Sequence, residues 1–282
     1  MDLRARPYRS VLYIPGSKER ALEKARAMPI DAIIFDLEDA VAPAEKPAAR
    51  AILAEALTRP YGNRTRIVRI NGFDTEWGKA DAKAAAAMDC DAILLPKVES
   101  TAQLDALAEL TDKPLWAMME TPAGMLAANE IAAHPRLQGM VMGTNDLAKE
   151  LNSRFRADRL PMLTGLGLCV LAAKAHGKVI VDGVYNAFKD DAGLQEECAQ
   201  GRDMGMDGKT LIHPAQVDIA NAAFAPGTEE IDLARRQIDA FEEAEKAGQG
   251  VAVVDGKIVE NLHVETARKT LAKAEAIAAL AD

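Results

Sequence analysis

A (β/α)8 barrel, the TIM-type α/β fold, is what this sequence predicts, on three observations. Short β-rich runs alternate with helical stretches from the first residues onward, there are eight such runs, and the chain of 282 residues is close to the usual size of one barrel. The runs are apolar throughout, as in Ala32-Ile33-Ile34-Phe35 and Ala92-Ile93-Leu94-Leu95, which suits strands buried on both faces of a parallel sheet. An open doubly wound sheet would want a Gly-rich dinucleotide turn after its first strand, and Pro15-Gly16-Ser17 does not supply one.

In order, the predicted strands are Val11–Pro15, Ala32–Glu38, Arg66–Ile70, Ala92–Val98, Leu115–Thr121, Met140–Gly143, Val179–Val184 and Lys209–His213. Between them Lys18–Met28, Glu45–Leu57, Trp77–Met88 and Thr101–Leu110 carry Ala, Leu, Glu and Lys at helical spacing. After Pro214 the pattern changes. A charged amphipathic helix, Glu229–Ala247, is broken by Gly248-Gln249-Gly250. Val251–Val259 then reads as a hairpin turning at Asp255-Gly256, and an Ala-rich helix follows from Val264 to Leu280. Residues 1–225 are thus expected to form the barrel, and 226–282 a helix–hairpin–helix extension too short to stand alone.

Composition narrows the function. With 34 basic and 43 acidic residues the net charge is −9, which argues against general nucleic-acid or anionic-membrane binding. Cys90, Cys169 and Cys198 are odd in number and widely spaced, with no C-x-x-C pair, so a disulfide framework and a zinc site are not expected. The basic start Met1–Ser10 leads into no apolar targeting segment, and no apolar run approaches membrane-spanning length; the cytoplasm is the expected location. No G-x-S-x-G elbow is present, which disfavours a triad hydrolase.

In such a barrel the chemistry lies at the carboxyl ends of the strands, and nearly every predicted strand ends in a charged or amide side chain. Crowded carboxylates there must be neutralised by a cation or by arginine, and an oxygen-rich set without clustered His and Cys suits Mg²⁺ or Mn²⁺. Glu120 and Asp146 end neighbouring strands, about 4.8 Å apart in such a sheet, and could share one metal. Each could equally be a loop salt bridge or, for Asp146, the cap of a helix Leu147–Leu151. Arg69 could grip a substrate carboxylate bidentately or pair internally with Glu38 or Asp39. His213, before Pro214, reads as a hydrogen-bonded histidine rather than a base. Lys18, Arg20, Lys24 and Arg26 form either a solvated helix face or a site for a phosphate-rich ligand over strand one.

These residues resemble the citrate lyase β-subunit and malyl-CoA lyase family of CoA-ester lyases, within the HpcH/HpaI aldolase superfamily. Seven segments carry the resemblance in family order: Arg9–Ser17, Asp36–Pro43, Arg69-Ile70-Asn71, Pro96–Glu99, Glu120–Gly124, Asp146-Leu147 and Gly208–Gln216. The resemblance implies Mg²⁺ on Glu120 and Asp146, and Arg69 on the substrate's carboxylate or oxo group, oriented by Glu38 or Asp39. It also implies Tyr13, Lys18 and Lys24 along the CoA moiety, and a homotrimer or homohexamer. In it the C-terminal hairpin lies over a neighbouring subunit and supplies an acid/base aspartate, whose position Asp255 matches; Asn261-Leu262-His263 departs from the family in lacking a proline before the histidine. The compact length and the run Arg20–Arg26 are similar to the (S)-malyl-CoA thioesterase branch. Hydrolysis to malate and CoA is therefore expected ahead of cleavage to acetyl-CoA and glyoxylate, or of citryl cleavage on an acyl carrier partner.

Overall fold

The computed structural model describes residues 6–281, so residues 1–5 of the opening stretch Met1–Ser10, and residue 282, lie outside it. Eight parallel strands close on themselves in sequence order: β1 (Ser10–Pro15), β2 (Ala32–Asp36), β3 (Thr65–Arg69), β4 (Ala92–Leu95), β5 (Leu115–Met119), β6 (Leu137–Met142), β7 (Val179–Asp182) and β8 (Gly208–Leu211), with β8 returning to β1. This is the expected (β/α)8 barrel.

Side-chain alternation sorts each strand into two layers. Ile34, Ile67, Leu94, Trp116, Met118 and Val141 fill the barrel interior, while Ile33, Phe35, Val68 and Ile93 pack outward under the helices. Each fully buried side chain of this size contributes about 1.5–3 kcal/mol, which is why both faces of every strand read as apolar. The interior is plugged by Trp116, whose ring lies 5.1 Å from that of Tyr8. Opposite it, Gly139 is required by space: a Cβ there would meet the Trp116 ring at 2.5 Å.

The predicted strands overrun the observed ones at most carboxyl ends, because the polar segments that end them are already loop. β6 begins earlier than expected, at Leu137, since Gly139 weakens the strand pattern there while packing on Trp116. The first predicted helices are α1 (Glu19–Ala25), α2 (Lys46–Ala56), α3 (Gly78–Ala87) and α4 (Thr101–Ala108). After the fifth and later strands come α5 (Pro122–Leu126), α6 (Ala128–Ala133), α7 (Thr144–Glu150), α8 (Leu163–Ala175), α9 (Asp191–Asp203) and α10 (Val217–Phe224).

The chain divides into two compact units, one holding Tyr8–Phe224 and the other the chain from Ala225 onward. The second contains α11 (Thr228–Lys246), a hairpin of β9 (Ala252–Val254) and β10 (Lys257–Val259), and α12 (Asn261–Ala281), packed around Phe241, Ala244, Val259 and Val264. Asp255 and Gly256, at φ +50° and +73°, make the left-handed pair that a two-residue hairpin turn needs. Among the described residues no helix is long and apolar enough to cross a membrane.

Candidate functional site

The polar residues at the barrel mouth continue the interior alternation upward. Asp36 follows Ile34 by two residues and Arg69 follows Ile67 by two, so both face the axis, and they are register partners on adjacent strands. The outcome is a bidentate pair: Arg69 Nε and Nη2 donate to Asp36 Oδ1 and Oδ2, each at 2.7 Å. Nη1 lies 2.9 Å from Glu38 Oε2 and 3.4 Å from Asp39 Oδ2. The expected internal pair of Arg69 with Glu38 or Asp39 is present with both, but Asp36 joins them as its principal partner, and the Glu38 oxygen is close without the alignment of a hydrogen bond. The bidentate edge of the guanidinium is occupied, so a substrate carboxylate meets only Nη1. Burial works against the Asp36 carboxylate, and the Arg69 charge outweighs it, holding Asp36 below the usual carboxylate range. The guanidinium carbon also stands 5.0 Å from the ring of Tyr13.

Glu120 continues the inward series Trp116, Met118 and is buried, at 2% exposure. Its Oε1 accepts a 2.8 Å hydrogen bond from the backbone N–H of Lys97, a non-glycine residue held at φ +48°. A left-handed lysine costs roughly 1–2 kcal/mol, a strain that aims this N–H at the carboxylate. Across from Glu120, Gly143 leaves just enough room: a Cβ there would fall 2.3 Å from Glu120 Cβ and 2.5 Å from Oε2. Gly143→Ala is accordingly expected to displace Glu120 and cut activity at least about tenfold with an intact fold, to be checked by steady-state rates beside circular dichroism.

Asp146 is not a helix cap. α7 begins at Thr144, with Gly143 in the cap position, and Asp146 lies inside its first turn, where the helix dipole favours a negative charge. It is half-buried, and among the described residues it makes no hydrogen bond or ion pair. Asp36, Asp39, Arg69, Glu120 and Asp146 line one cleft of about 280 Å³, with Tyr13, Met118, Met142 and Val184 as its apolar wall.

This mouth carries more negative than positive charge. Burial, with Asp146 and Asp39 adding repulsion, pushes Glu120 up to about 7, against the opposing Lys97 hydrogen bond and Arg69. Burial likewise pushes Glu38 up to about 8, the Asp39 and Glu120 charges adding to it. Groups raised in the folded protein give stability that is fully present below their unfolded values near 4.5 and lost as pH rises through the folded ones. Metal-free protein should therefore melt at progressively lower temperature from about pH 5 to pH 8, and Mg²⁺ added at pH 8 should restore the loss; a flat Tm profile would contradict the excess charge. The donor set fits a hard divalent cation: oxygens only, one carboxylate unpaired and one destabilised as an anion. Among the described residues no three His, Cys, Asp or Glu groups converge into a metal cage, so an ion here would take most of its coordination from water or substrate, as Mg²⁺ does.

Of the residues singled out from sequence, the structure brings Tyr13, Glu38, Arg69, Glu120 and Asp146 together. Lys18 and Lys24 stand exposed on the loop and helix after β1, outside the cleft lining, with Lys18 3.9 Å from Glu45. His213 is the hydrogen-bonded histidine expected: Nδ1 accepts from the Ala215 N–H at 3.2 Å, and the ring stacks on Phe188. Asp182 faces away from the mouth, into the helix layer. In the second unit, Asp255 accepts a 2.7 Å hydrogen bond from Arg236, which holds its carboxyl below the usual range. Sequence reasoning missed Asp36 as Arg69's partner and Lys97 as Glu120's, although the alternation Ile34–Asp36 carries the first.

Comparison with known proteins adds to this geometry. Residues 9–214 match the model of the HpcH/HpaI aldolase/citrate lyase family. The chain is 72% identical over 281 residues to a (3S)-malyl-CoA thioesterase of Cereibacter sphaeroides, covering 99% of both chains. It is 35% identical to the citrate lyase subunit β of Escherichia coli K12, over 96% of this chain and 95% of that one. Among solved structures it resembles the CitE protein of Mycobacterium tuberculosis in complex with magnesium, acetoacetate and coenzyme A. That match has a TM-score of 0.82 and 33% identity, over 97% of this chain and 100% of the other.

Proposed function

This chain belongs to the HpcH/HpaI aldolase/citrate lyase family, and from that membership we propose that it hydrolyses (3S)-malyl-CoA to malate and CoA, with Mg²⁺ held by Glu120 and Asp146. The observation that carries the reading is the 72% identity, end to end, with a thioesterase of that specificity. The cleft supports it, bringing an unpartnered and a destabilised carboxylate beside Arg69 Nη1, with the Lys97 ammonium also acting on them. Mg²⁺ would supply Lewis acidity toward the oxygens of the malyl group.

The protein's own groups do the rest. Lys97 N–H fixes Glu120 for its task, and Arg69, locked by Asp36, keeps a positive charge beside Tyr13 where substrate oxygens gather. Glu38 holds the Nη1 edge of Arg69 in place. Hydrolysis then needs a base that takes a proton from water as its oxygen attacks the thioester carbonyl, and returns it to the departing thiolate. We assign that role to Asp255 from a neighbouring copy, in a cytoplasmic homotrimer or homohexamer, with Lys18 and Lys24 along the CoA phosphates. The exposed Val253 and Ile258 of the hairpin, 65% and 63% accessible, favour its lying against another surface. Asp255→Asn should lower kcat at least about 10²-fold without altering Mg²⁺ affinity; sedimentation should give a mass of three or six chains.

Incubation with (3S)-malyl-CoA and Mg²⁺, with an EDTA control, decides the reaction. Free thiol without glyoxylate is the expected result. Glyoxylate with intact acetyl-CoA would replace hydrolysis by carbon–carbon cleavage, the second reading, which the likeness to citrate lyase subunit β favours. No product would remove this ester as the substrate.

A further inference from the structure

Behind the cleft wall lies a second charged cluster that the proposed reaction does not use. Asp182, the last residue of β7, and Lys209, the second residue of β8, are register partners, both side chains fully buried, and they point outward beneath the helices. Arg159, 2% exposed and held at φ +53° in the segment before α8, donates Nη1 to both Asp182 oxygens at 2.8 Å and Nε to Gln200 at 2.6 Å. Lys209 Nζ donates to Glu197 at 2.6 Å and to the Gly183 carbonyl at 2.7 Å, and lies 3.4 Å from Asp182 Oδ2. Apolar residues of the same volume would anchor strand to helix with less desolvation. What they could not do is grip a peptide.

The gripped peptide is at Gly183. Its N–H donates to Asp182 Oδ1 at 2.8 Å and its carbonyl accepts from Lys209, while Thr210 Oγ1 donates to the Asp182 carbonyl at 2.9 Å. Gly183 is thereby held on both sides and lies against Thr144: a Cβ would come 2.5 Å from Thr144 Oγ1 and 2.7 Å from its Cγ2. Thr144 is buried and opens α7, which carries Asp146 two residues on. At the surface, Asn145 and Asn186 exchange side-chain hydrogen bonds of 2.7 and 3.2 Å across the same two loops. Asp146 has no bond of its own, so the position of its carboxylate is set by this backbone.

We propose that Lys209, acting with Asp182, is a positioning residue that sets Asp146 against Glu120 through Gly183 and Thr144. This rests on the reading of Glu120 and Asp146 as Mg²⁺ ligands. The test is Mg²⁺ binding to the substrate-free protein, followed by calorimetry and by the Mg²⁺-dependent rise in Tm, with Asp146→Asn alongside. Lys209→Met is combined with Glu197→Gln, so that one buried cation and its principal anion leave together and the fold stays balanced. Gly183→Ala pushes on Thr144 from outside the charged cluster. Both variants are expected to raise the Kd for Mg²⁺ about tenfold or more, the usual effect of losing an outer partner of a metal ligand. A merely structural role would lower Tm and leave Kd unchanged. Unchanged Kd in both variants, with binding abolished in Asp146→Asn, overturns the positioning role and keeps the metal reading. Undiminished binding in Asp146→Asn overturns both.

Discussion

Arg69→Met should lower folding stability by about 3–5 kcal/mol, because it leaves the buried Asp36 carboxylate and the Glu38 oxygen without their cation. In a chain of this size that is a fall in Tm of roughly 10 °C. The cause is not loss of a favourable bond in water but the stranding of an anion beneath the cleft, and the double variant Arg69→Met/Asp36→Leu distinguishes the two. Removing both partners should return much of the lost stability while activity stays absent. Thermal unfolding of the single and double variants reads the outcome. If the single variant melts within 2 °C or so of the parent, the pair is not the keystone its geometry makes it.

Glu120→Gln should do the opposite to stability. An amide keeps the shape and can still accept from Lys97, and it removes an anion that burial and Asp146 disfavour. Metal-free protein at pH 8 should therefore melt higher than the parent, whereas kcat/KM at saturating Mg²⁺ should fall on the order of 10²–10³-fold. A rise in stability with loss of activity is the signature of a group placed for chemistry against the preference of the fold. Equal activity in the variant would remove Glu120 from the site.

The barrel itself was legible because strands buried on both faces announce themselves as unbroken apolar runs, and all eight were found in order. Their ends were less so. Asp36, Arg69 and Glu120 each stand two residues beyond an inward-facing apolar side chain, at the point where strand gives way to loop, and apolarity alone does not say where pairing stops. Of the helices that follow β6 and β7, the sequence indicated α7, as Leu147–Leu151, and did not delineate α8 or α9: α8 carries Gly165 and Gly167 and is apolar around its whole circumference, so periodicity is faint. Asp182 ends a strand as Asp36 does yet faces the helix layer, because a strand end offers no clue to its face until the register is known. Arg159 gave no signal at all, for it is joined to Asp182 and Lys209 only by the folding of loop onto sheet.

The Trp116–Tyr8 plug makes the barrel a cul-de-sac. Nothing drains through the floor, so reactant and products share one doorway. A product lodged deepest, over Met118 and Glu120, would block the next arrival until it backs out. Inhibition by that last occupant should be competitive, and clearing the doorway rather than making or breaking a bond can set the pace of turnover.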